Sequence, residues 1–311
     1  MRHGWSLDRR ALLRGGAAAA GALGLGAWPR RASAIGNIAV GDGELTVVSD
    51  GHLSLSMNFS FPDVDKAELE EILAAHGLPA DANDPDCNVT FLRRGDRLAV
   101  FDVGSGPNFM PSAGKLLENL GEAGIDPSEV TDVIFTHAHP DHIWGLVDDF
   151  DELVFPDAAY HMGAAEWDFW RAPGTLDAMP EERKTFVVGA QNRMAYIEDR
   201  IELFDPGAEI LPGVEAVATP GHTPGHTSFM IHGGTEPVFV TGDAITHAAI
   251  SFARPDWPSG SDQDKERGAA TRVALMDRLA SERARIVGFH LPHPGIGRVE
   301  RDGAAYRFAA G

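Results

Sequence analysis

Short apolar runs and alternating apolar and polar positions divide the chain into predicted strands and helices. The segment NVTFLRRGDRLAVFDV, residues 88–103, predicts a β-hairpin because two apolar runs flank a turn at Gly95-Asp96. Residues 112–124 predict a helix, since Leu116 and Leu120 recur at helical spacing after Ser112, a potential N-cap. Further strands are predicted at 44–50, 131–136, 214–219, 227–232, 238–242 and 285–289, and further helices at 164–171, 180–196 and 265–282.

The order of these elements mixes hairpins with strand–helix–strand units. Such an order argues against a purely parallel sheet and favours an α/β or α+β protein with layered sheets. The 311 residues fit one large domain or two small ones. After residue 34 the sequence shows no tandem repeat and no low-complexity linker.

Composition and charge limit the partners of the protein. Hydrophobic residues make up 43% of the chain, which is enough for a substantial core. The formal net charge of −20 disfavours nucleic acid and anionic membranes as partners. A single cysteine, Cys87, excludes an intramolecular disulfide framework.

The first 34 residues predict an export signal. Arg9-Arg10 precedes a stretch of Gly, Ala and Leu, and Ala32-Ser33-Ala34 matches an A-x-A cleavage site. The paired arginines resemble a twin-arginine signal, so we expect a periplasmic or secreted protein. The alternatives are an ordinary secretory signal or a membrane anchor, but the apolar run at 15–28 is short for a membrane span. We therefore expect no stable membrane insertion after cleavage.

Loss of this segment would make the protein more acidic. Residues 1–34 carry six arginines and one aspartate, a net +5, so the formal charge of −20 would become −25. We expect residues 35–311 to form the folded domain.

A cluster of metal-binding side chains follows the apolar run at 131–136. His137, His139, Asp141 and His142 fall within six residues, HAHPDH. Imidazole nitrogen and carboxylate oxygen both suit zinc. One tetrahedral ion cannot readily take four ligands from so tight a turn, so the spacing favours two adjacent metals. The alternative is a capped turn with solvated histidines.

The HAHPDH segment resembles the signature of the metallo-β-lactamase superfamily of binuclear metallohydrolases. This resemblance implies an α+β fold, the four-layer αββα sandwich, and predicts three later ligands in chain order. They are His222 in TPGHTPGH, Asp243 in VFVTGDA and His290 in GFHLPHPGIG, with His293 as a less favoured rival.

The resemblance also implies a role for each ligand. One metal would take His137, His139 and His222, the second would take Asp141, His142 and His290, and Asp243 would bridge them. The cofactors would be two Zn²⁺ ions, although other divalent metals suit the same ligands. A hydroxide shared by the two metals would attack the substrate, and Asp141 would also steer a proton to the leaving group.

Two further residues are expected behind the ligands. Asp102, in FDVGSG, matches a carboxylate that orients the metal-binding loop in relatives, and the alternative is a simple loop cap. His226, the second histidine of TPGHTPGH, is expected to support the site rather than bind a metal.

Within the superfamily, residues 135–170 and 288–299 resemble methyl parathion hydrolase and its exported relatives. We therefore expect hydrolysis of an ester, lactone or phosphotriester in a small molecule. Thr246 stands where many quorum-quenching lactonases have tyrosine, which departs from the lactonase pattern. The alternatives are a mononuclear iron dioxygenase that acts on a persulfide, and a non-catalytic binding protein that keeps the metals for stability.

Aromatic residues could form an apolar substrate pocket. For each of them, packing in the core or in a dimer interface is the alternative, and a homodimer is expected from analogy alone. The polar segment 251–266 could form a lid. The proposed pocket residues are Phe109, Trp144, Trp167 and Trp257, together with Phe59, Phe61 and Trp170.

Overall fold

The computed structural model describes residues 35–311, and the predicted signal at 1–34 lies outside the described residues. The strands are, in chain order, β1 (Ile35–Val40), β2 (Gly43–His52), β3 (Leu55–Ser56), β4 (Ala82–Asn83), β5 (Asp86–Arg94), β6 (Arg97–Phe101), β7 (Asp132–Ile134), β8 (Ala159–Gly163), β9 (Ile201–Phe204), β10 (Glu209–Leu211), β11 (Val214–Ala218), β12 (Thr227–Ile231), β13 (Val238–Val240), β14 (Arg285–Val287), β15 (Ile296–Asp302) and β16 (Ala305–Ala310). The α-helices are α1 (Met57–Ser60), α2 (Lys66–Ala75), α3 (Leu116–Ala123), α4 (Pro140–Ile143), α5 (Ala164–Arg171), α6 (Thr175–Ala178), α7 (Lys184–Ile197), α8 (Ile250–Ala253) and α9 (Lys265–Glu282). Short 3₁₀ turns occur at Pro127–Glu129, Trp144–Leu146, Glu181–Arg183 and Gly242–Ala244.

Two seven-stranded sheets dominate the described residues. The first has the spatial order β1-β2-β5-β6-β7-β8-β9, and the second runs β10 to β16 in chain order. Most neighbouring strands are antiparallel, but β6 to β9 pair in parallel, and so do β13 and β14. The chain thus builds one mixed sheet from its first half and one from its second half.

Successive side chains of each strand point to opposite faces of its sheet. Each sheet can therefore pack against the other sheet on one face and against helices on the other. Ala99 and Phe101 of β6 face the other sheet, whereas Leu98 and Val100 face the helices. In β13, Val238 and Val240 likewise lie between the sheets. The other face of the second sheet packs against α9, where Phe239, Met276 and Leu279 share a cluster. The four-layer αββα sandwich is therefore confirmed.

The predicted β-hairpin at 88–103 is also present. Strands β5 and β6 are antiparallel, with Arg94 opposite Arg97. Gly95 occupies the turn with φ +57°, a left-handed conformation that glycine adopts without steric cost. The hairpin lies in the middle of the first sheet and leads directly to Asp102.

The helix predicted at 112–124 begins later than expected. Helix α3 starts at Leu116, and Ser112 does not cap it. Gly114 has φ +72°, which is incompatible with a helix at that position. The cap comes instead from Asp50, whose Oδ1 accepts a hydrogen bond from the Leu116 N–H at 2.8 Å. The prediction of an N-cap at Ser112 was wrong because the capping carboxylate comes from a distant strand.

Other predicted elements agree closely with the structure. Helices α5 and α9 have the predicted bounds, and the helix predicted at 180–196 is α7, preceded by a 3₁₀ turn. Several short or half-exposed elements were not predicted, including α2, β8, β9, β15 and β16. None of the helices in residues 35–311 is both long enough and apolar enough to cross a membrane.

Candidate metal centre

The predicted ligands follow four strands whose ends meet at one edge of the sandwich. Strand β7 leads to the loop with His137 and His139, and β11 leads to His222. Strands β13 and β14 are parallel neighbours and lead to Asp243 and His290. Strands β7 and β13 are fully buried, so the loops that follow them have little freedom to move their ligands away.

The HAHPDH segment changes its backbone conformation halfway along. His139 is the N-cap of α4, with extended backbone angles, and Pro140 occupies the first turn of that helix. Proline suits this position because its missing N–H would have no partner there. Asp141 and His142 therefore project from a helical turn, whereas His137 and His139 project from the extended loop before it. This change of direction is how one segment can supply two sites.

The structure brings all seven predicted ligands together in two groups. Within each group, one potential ligand atom from each residue lies within 4.8 Å of the others. The first group is His137, His139 and His222, and the second group is Asp141, His142, Asp243 and His290. All seven side chains are buried.

Asp243 lies between the two groups. Its Oδ2 is 3.2 Å from His222 Nε2 of the first group and 3.1 Å from His290 Nε2 of the second. Its Oδ1 is 3.2 Å from His142 Nε2. This is the place that a bridging carboxylate would occupy.

Several of these atoms are buried without a hydrogen-bond partner. Within residues 35–311, they include His137 Nε2, His142 Nε2, Asp141 Oδ2 and Asp243 Oδ1. Leaving buried polar atoms unpaired is costly, and a cluster of them demands an explanation. Nitrogen and carboxylate atoms that converge in this way fit divalent cations such as zinc.

A family model described as the metallo-beta-lactamase superfamily matches residues 82–286. The chain belongs to the metallo-β-lactamase superfamily. The matched region includes six of the seven predicted ligands and ends just before His290. The superfamily predicted from HAHPDH is therefore confirmed.

Solved structures and curated relatives agree with this assignment. AidC, a dizinc quorum-quenching lactonase in complex with the product N-hexanoyl-L-homoserine, is 30% identical, with a TM-score of 0.84 over 90% of this chain and 98% of that one. The hydrolase AbOPH is 26% identical, with a TM-score of 0.83 and the same coverage. Hydroxyacylglutathione hydrolase GloC of Haemophilus influenzae is 28% identical over 188 residues, which are 59% of this chain and 76% of that protein. This metallo-β-lactamase-fold protein is accordingly a metal-dependent hydrolase, and its specific resemblance to methyl parathion hydrolase stays a prediction.

Two imidazoles of the first ligand group, those of His137 and His139, are held neutral. Burial lowers the pKa of His137 well below its usual range, and the neighbouring imidazoles of His142 and His139 lower it further. Burial likewise lowers the pKa of His139, with His222 adding to the effect. His139 Nδ1 is 2.8 Å from His222 Nε2, so the two ring nitrogens face each other. Neutral imidazoles are the form that binds metals.

The second group has the opposite electrostatics. Burial lowers the pKa of His142 and His290, but the nearby carboxylates of Asp243 and Asp141 outweigh it, and both pKa values are well above the usual range. Burial raises the pKa of Asp141 and Asp243, yet the adjacent histidines lower both pKa values overall. Without a metal, this group is a cluster of ion pairs.

Asp102, one of the residues expected behind the ligands, contacts His142 and Thr136. Its Oδ2 accepts hydrogen bonds from His142 Nδ1 at 2.8 Å and from the Thr136 hydroxyl, and its Oδ1 accepts from the Thr136 N–H. Asp102 has φ +65°, a conformation that is rare for residues other than glycine. A carboxylate on Nδ1 fixes the ring so that Nε2 points into the site.

His226 and His293 both lie behind the ligands. His226 Nε2 accepts a hydrogen bond from the Asp243 N–H at 2.9 Å, and burial lowers the pKa of His226 to about 3, so its ring is neutral. His293 Nδ1 is 2.6 Å from Asn88 Oδ1. His290 instead points Nε2 at Asp141 and Asp243. The structure therefore favours His290 over His293 as the ligand.

Two carboxylates next to the first group were not predicted. Asp262 Oδ1 is 3.2 Å from His222 Nδ1, and Asp262 Oδ2 accepts from Arg272. Glu166, on α5, contacts both histidine loops. Asp262 lies in the 251–266 segment that was predicted as a lid, but nothing in the sequence singled out either acid.

A row of aromatic contacts leads away from the first group. Phe186 of α7 is 5.9 Å from His139 between ring centroids, and Phe109 contacts both Phe186 and Trp144 edge-on. Phe109 and Trp144, two of the predicted pocket residues, are half-buried. Phe186 was not among the predicted pocket residues.

The other predicted aromatic residues are mostly packed. Trp167 and Trp170 belong to the large cluster under the first sheet, and Trp170 Nε1 donates to Glu166. Trp257 and Phe61 belong to a cluster with α2, whereas Phe59 is 44% exposed. These positions fit the packing alternative for Trp167 and Trp257.

Proposed function

We propose that this protein is a binuclear zinc hydrolase that cleaves an ester, lactone or phosphotriester bond in a neutral small molecule. The observation that carries the proposal is the convergence of seven buried ligands in two groups, with Asp243 between them. Two zinc ions bound there would activate water as the nucleophile and polarise the substrate oxygen. The three-histidine group would hold one ion and the Asp141 group the other.

The residues of the chain would organise the reaction around these ions. Asp102 and His226 hold His142 and the Asp243 backbone, so the ligand atoms are fixed before substrate arrives. Asp141 Oδ2 lies 3.2 Å from His290 Nε2, so Asp141 would hold the second ion beside His290, and we expect it also to steer a proton to the leaving group. Burial raises the pKa of the Cys87 thiol to about 12, so Cys87 is not a competing nucleophile.

Among the three substrate classes, a lactone or carboxylic ester has the most support. AidC is a lactonase and is 30% identical over nearly its whole length. Phe186 lies next to His139, and Phe109 and Trp144 continue this aromatic wall away from the ligand, which suits an acyl or aryl group. Thr246 is half-buried and cannot supply the phenol that many lactonases use, so we expect the carbonyl oxygen to rely on the metals.

The iron dioxygenase alternative needs only one metal. A single metal leaves the buried second group without a role, although the ligand atoms of Asp141, His142 and His290 converge as closely as those of the first group. We therefore favour the hydrolase.

The experiment is hydrolysis of an aryl ester, a lactone and a phosphotriester by protein stripped of metal and then reloaded. We expect loss of turnover on chelation and recovery with two equivalents of zinc. Turnover that survives complete metal removal would contradict the proposal.

We also propose that residues 1–34 direct export through a twin-arginine pathway and are then removed. Amino-terminal sequencing of exported protein should give a start at Ile35, and replacement of Arg9-Arg10 by lysines should block export. A start at Met1 in the exported fraction would contradict cleavage.

A further inference from the structure

Glu166 is a fully buried acid with four hydrogen-bond donors around it. It lies in the first turn of α5, with no solvent exposure. Oε1 accepts from the Ala138 N–H at 3.0 Å and from Trp170 Nε1 at 2.6 Å. Oε2 accepts from the Thr223 hydroxyl at 2.7 Å and from the Gly225 N–H at 3.0 Å. So many donors on one buried carboxylate exceed what packing alone requires.

These donors come from the two loops that carry the first ligand group. Ala138 lies between His137 and His139, and Thr223 directly follows His222. One carboxylate therefore joins the backbone of the HAHPDH loop to the TPGHTPGH loop. The ligands themselves are separated by more than 80 residues of chain, so a link between their loops helps to set the distance between the imidazoles.

The contact between α5 and the second loop leaves little room for adjustment. A Cβ on Gly225 would lie 2.1 Å from the Glu166 backbone nitrogen. On the other side, the Trp170 ring is 5.7 Å from the His139 ring. A change in the carboxylate is therefore transmitted to the histidine loops and is not absorbed by a gap.

We propose that Glu166 is a positioning residue for the metal held by His137, His139 and His222. It fixes the spacing of the two loops so that the three imidazoles converge, and it leaves the second group unaffected. This inference rests on the proposed binuclear site.

Hydrogen-bond chemistry defines the informative variant. Backbone N–H and indole N–H groups can only donate, so both oxygens of Glu166 must accept. In Glu166→Gln, the amide NH₂ must face either the Gly225 N–H or the Ala138 N–H. The volume is unchanged, so the variant tests the link between the loops without opening a cavity.

The test is zinc titration of the purified protein against a competing chelator. Cadmium-113 NMR distinguishes the metal of the first group from that of the second group. For Glu166→Gln we expect metal affinity at the first group to fall by about 10–100-fold, the range typical of residues that support a ligand. The cadmium resonance of the first group should shift or broaden, while that of the second group stays as in the wild type. Asp168→Asn is the matched control, because Asp168 is exposed on the same helix and should change neither site.

Thr223→Val removes one of the four hydrogen bonds and provides a second test if Glu166→Gln fails to fold. It should weaken the same site by a smaller factor. Equal loss at both sites, or wild-type affinity and spectrum in the variants, would overturn the positioning role. A wild-type protein that binds one ion or none would instead overturn the binuclear proposal and this inference with it.

Discussion

The two ligand groups share one carboxylate but differ in charge. The first group consists of three imidazoles, and burial together with neighbouring imidazoles lowers the pKa values of His137 and His139. The second group contains carboxylates that raise the pKa values of His142 and His290 despite burial. One site is therefore ready to accept a cation, whereas the other holds protons that the cation must displace.

The residues that hold the ligands in place also differ between the two groups. Glu166 and Asp262 hold the first group from helix α5 and from the segment before α9. The second group is held by Asp102 from the first sheet and by the Asp86 carbonyl, which lies 2.9 Å from His290 Nδ1. The first site thus depends on contacts between loops, and the second depends mainly on residues at strand ends.

The largest effect is expected from removing the residue that both groups share. Asp243→Ala should lower hydrolysis by more than about 1,000-fold, beyond the 10–100-fold typical of residues that only support a ligand. The measurement is kcat/KM with saturating zinc. Full activity in this variant would show that the bridging assignment is wrong.

Removing one ligand from each group should separate the two sites. His222→Ala should weaken the metal of the first group by about 100-fold, and His290→Ala should weaken the second by a similar factor. Metal analysis after dialysis should find about one ion per chain in each variant. If both variants lost both ions, the two groups would not be separable sites.

The pH dependence of zinc affinity should also distinguish the two groups. In the metal-free protein, the raised pKa values of His142 and His290 keep these rings protonated near neutral pH, so zinc must displace their protons. As pH falls from 8 to 6, affinity at the second group should drop about tenfold per unit for each proton displaced. Affinity at the first group should fall less steeply, because the lowered pKa values of His137 and His139 mean that these two rings carry no proton for zinc to displace. Parallel slopes in a pH series of titrations would contradict this contrast.

Asp102→Asn is the counterpart of the Glu166 variant. An amide in place of Asp102 cannot accept at both positions, so His142 should lose its fixed orientation. We expect about tenfold weaker binding at the second group and no change at the first. Chelator competition measures zinc affinity at each group. A loss of affinity confined to the first group would show that Asp102 does not support the second group.

The smallest effect concerns the aromatic wall beside the first group. Phe186→Ala should raise KM for an apolar ester or lactone by about three- to tenfold through lost apolar contact. We expect kcat and metal content to stay constant. A series of substrates with increasing acyl length measures the effect, and a KM independent of length would remove Phe186 from the substrate pocket.

The seven predicted ligands converge in the structure, and the sequence could point to them because four of them follow apolar strands closely. His137, His222, Asp243 and His290 all occur at such ends, where short motifs surround them. The order of hairpins and strand–helix–strand units also predicted the layered sheets correctly. Local pattern was sufficient wherever chemistry and secondary structure coincide in one segment.

Asp102 and His226 were expected behind the ligands, but Asp50, Glu166 and Asp262 could not be predicted because they contact residues far away along the chain. Asp50 caps α3 from a position 66 residues earlier, and Glu166 meets Thr223 from 57 residues away. Single acids on a helix or loop have no local signature for such contacts. Aromatic residues had the same problem, since Trp167 and Trp144 look alike in sequence but only Trp144 lies in the wall.

The most direct test of the account is the metal content of the protein purified without added metal. The two ligand groups predict about two zinc ions per chain, accompanied by turnover of at least one of the ester, lactone and phosphotriester substrates. About one iron per chain without hydrolysis would contradict the binuclear hydrolase and support the dioxygenase.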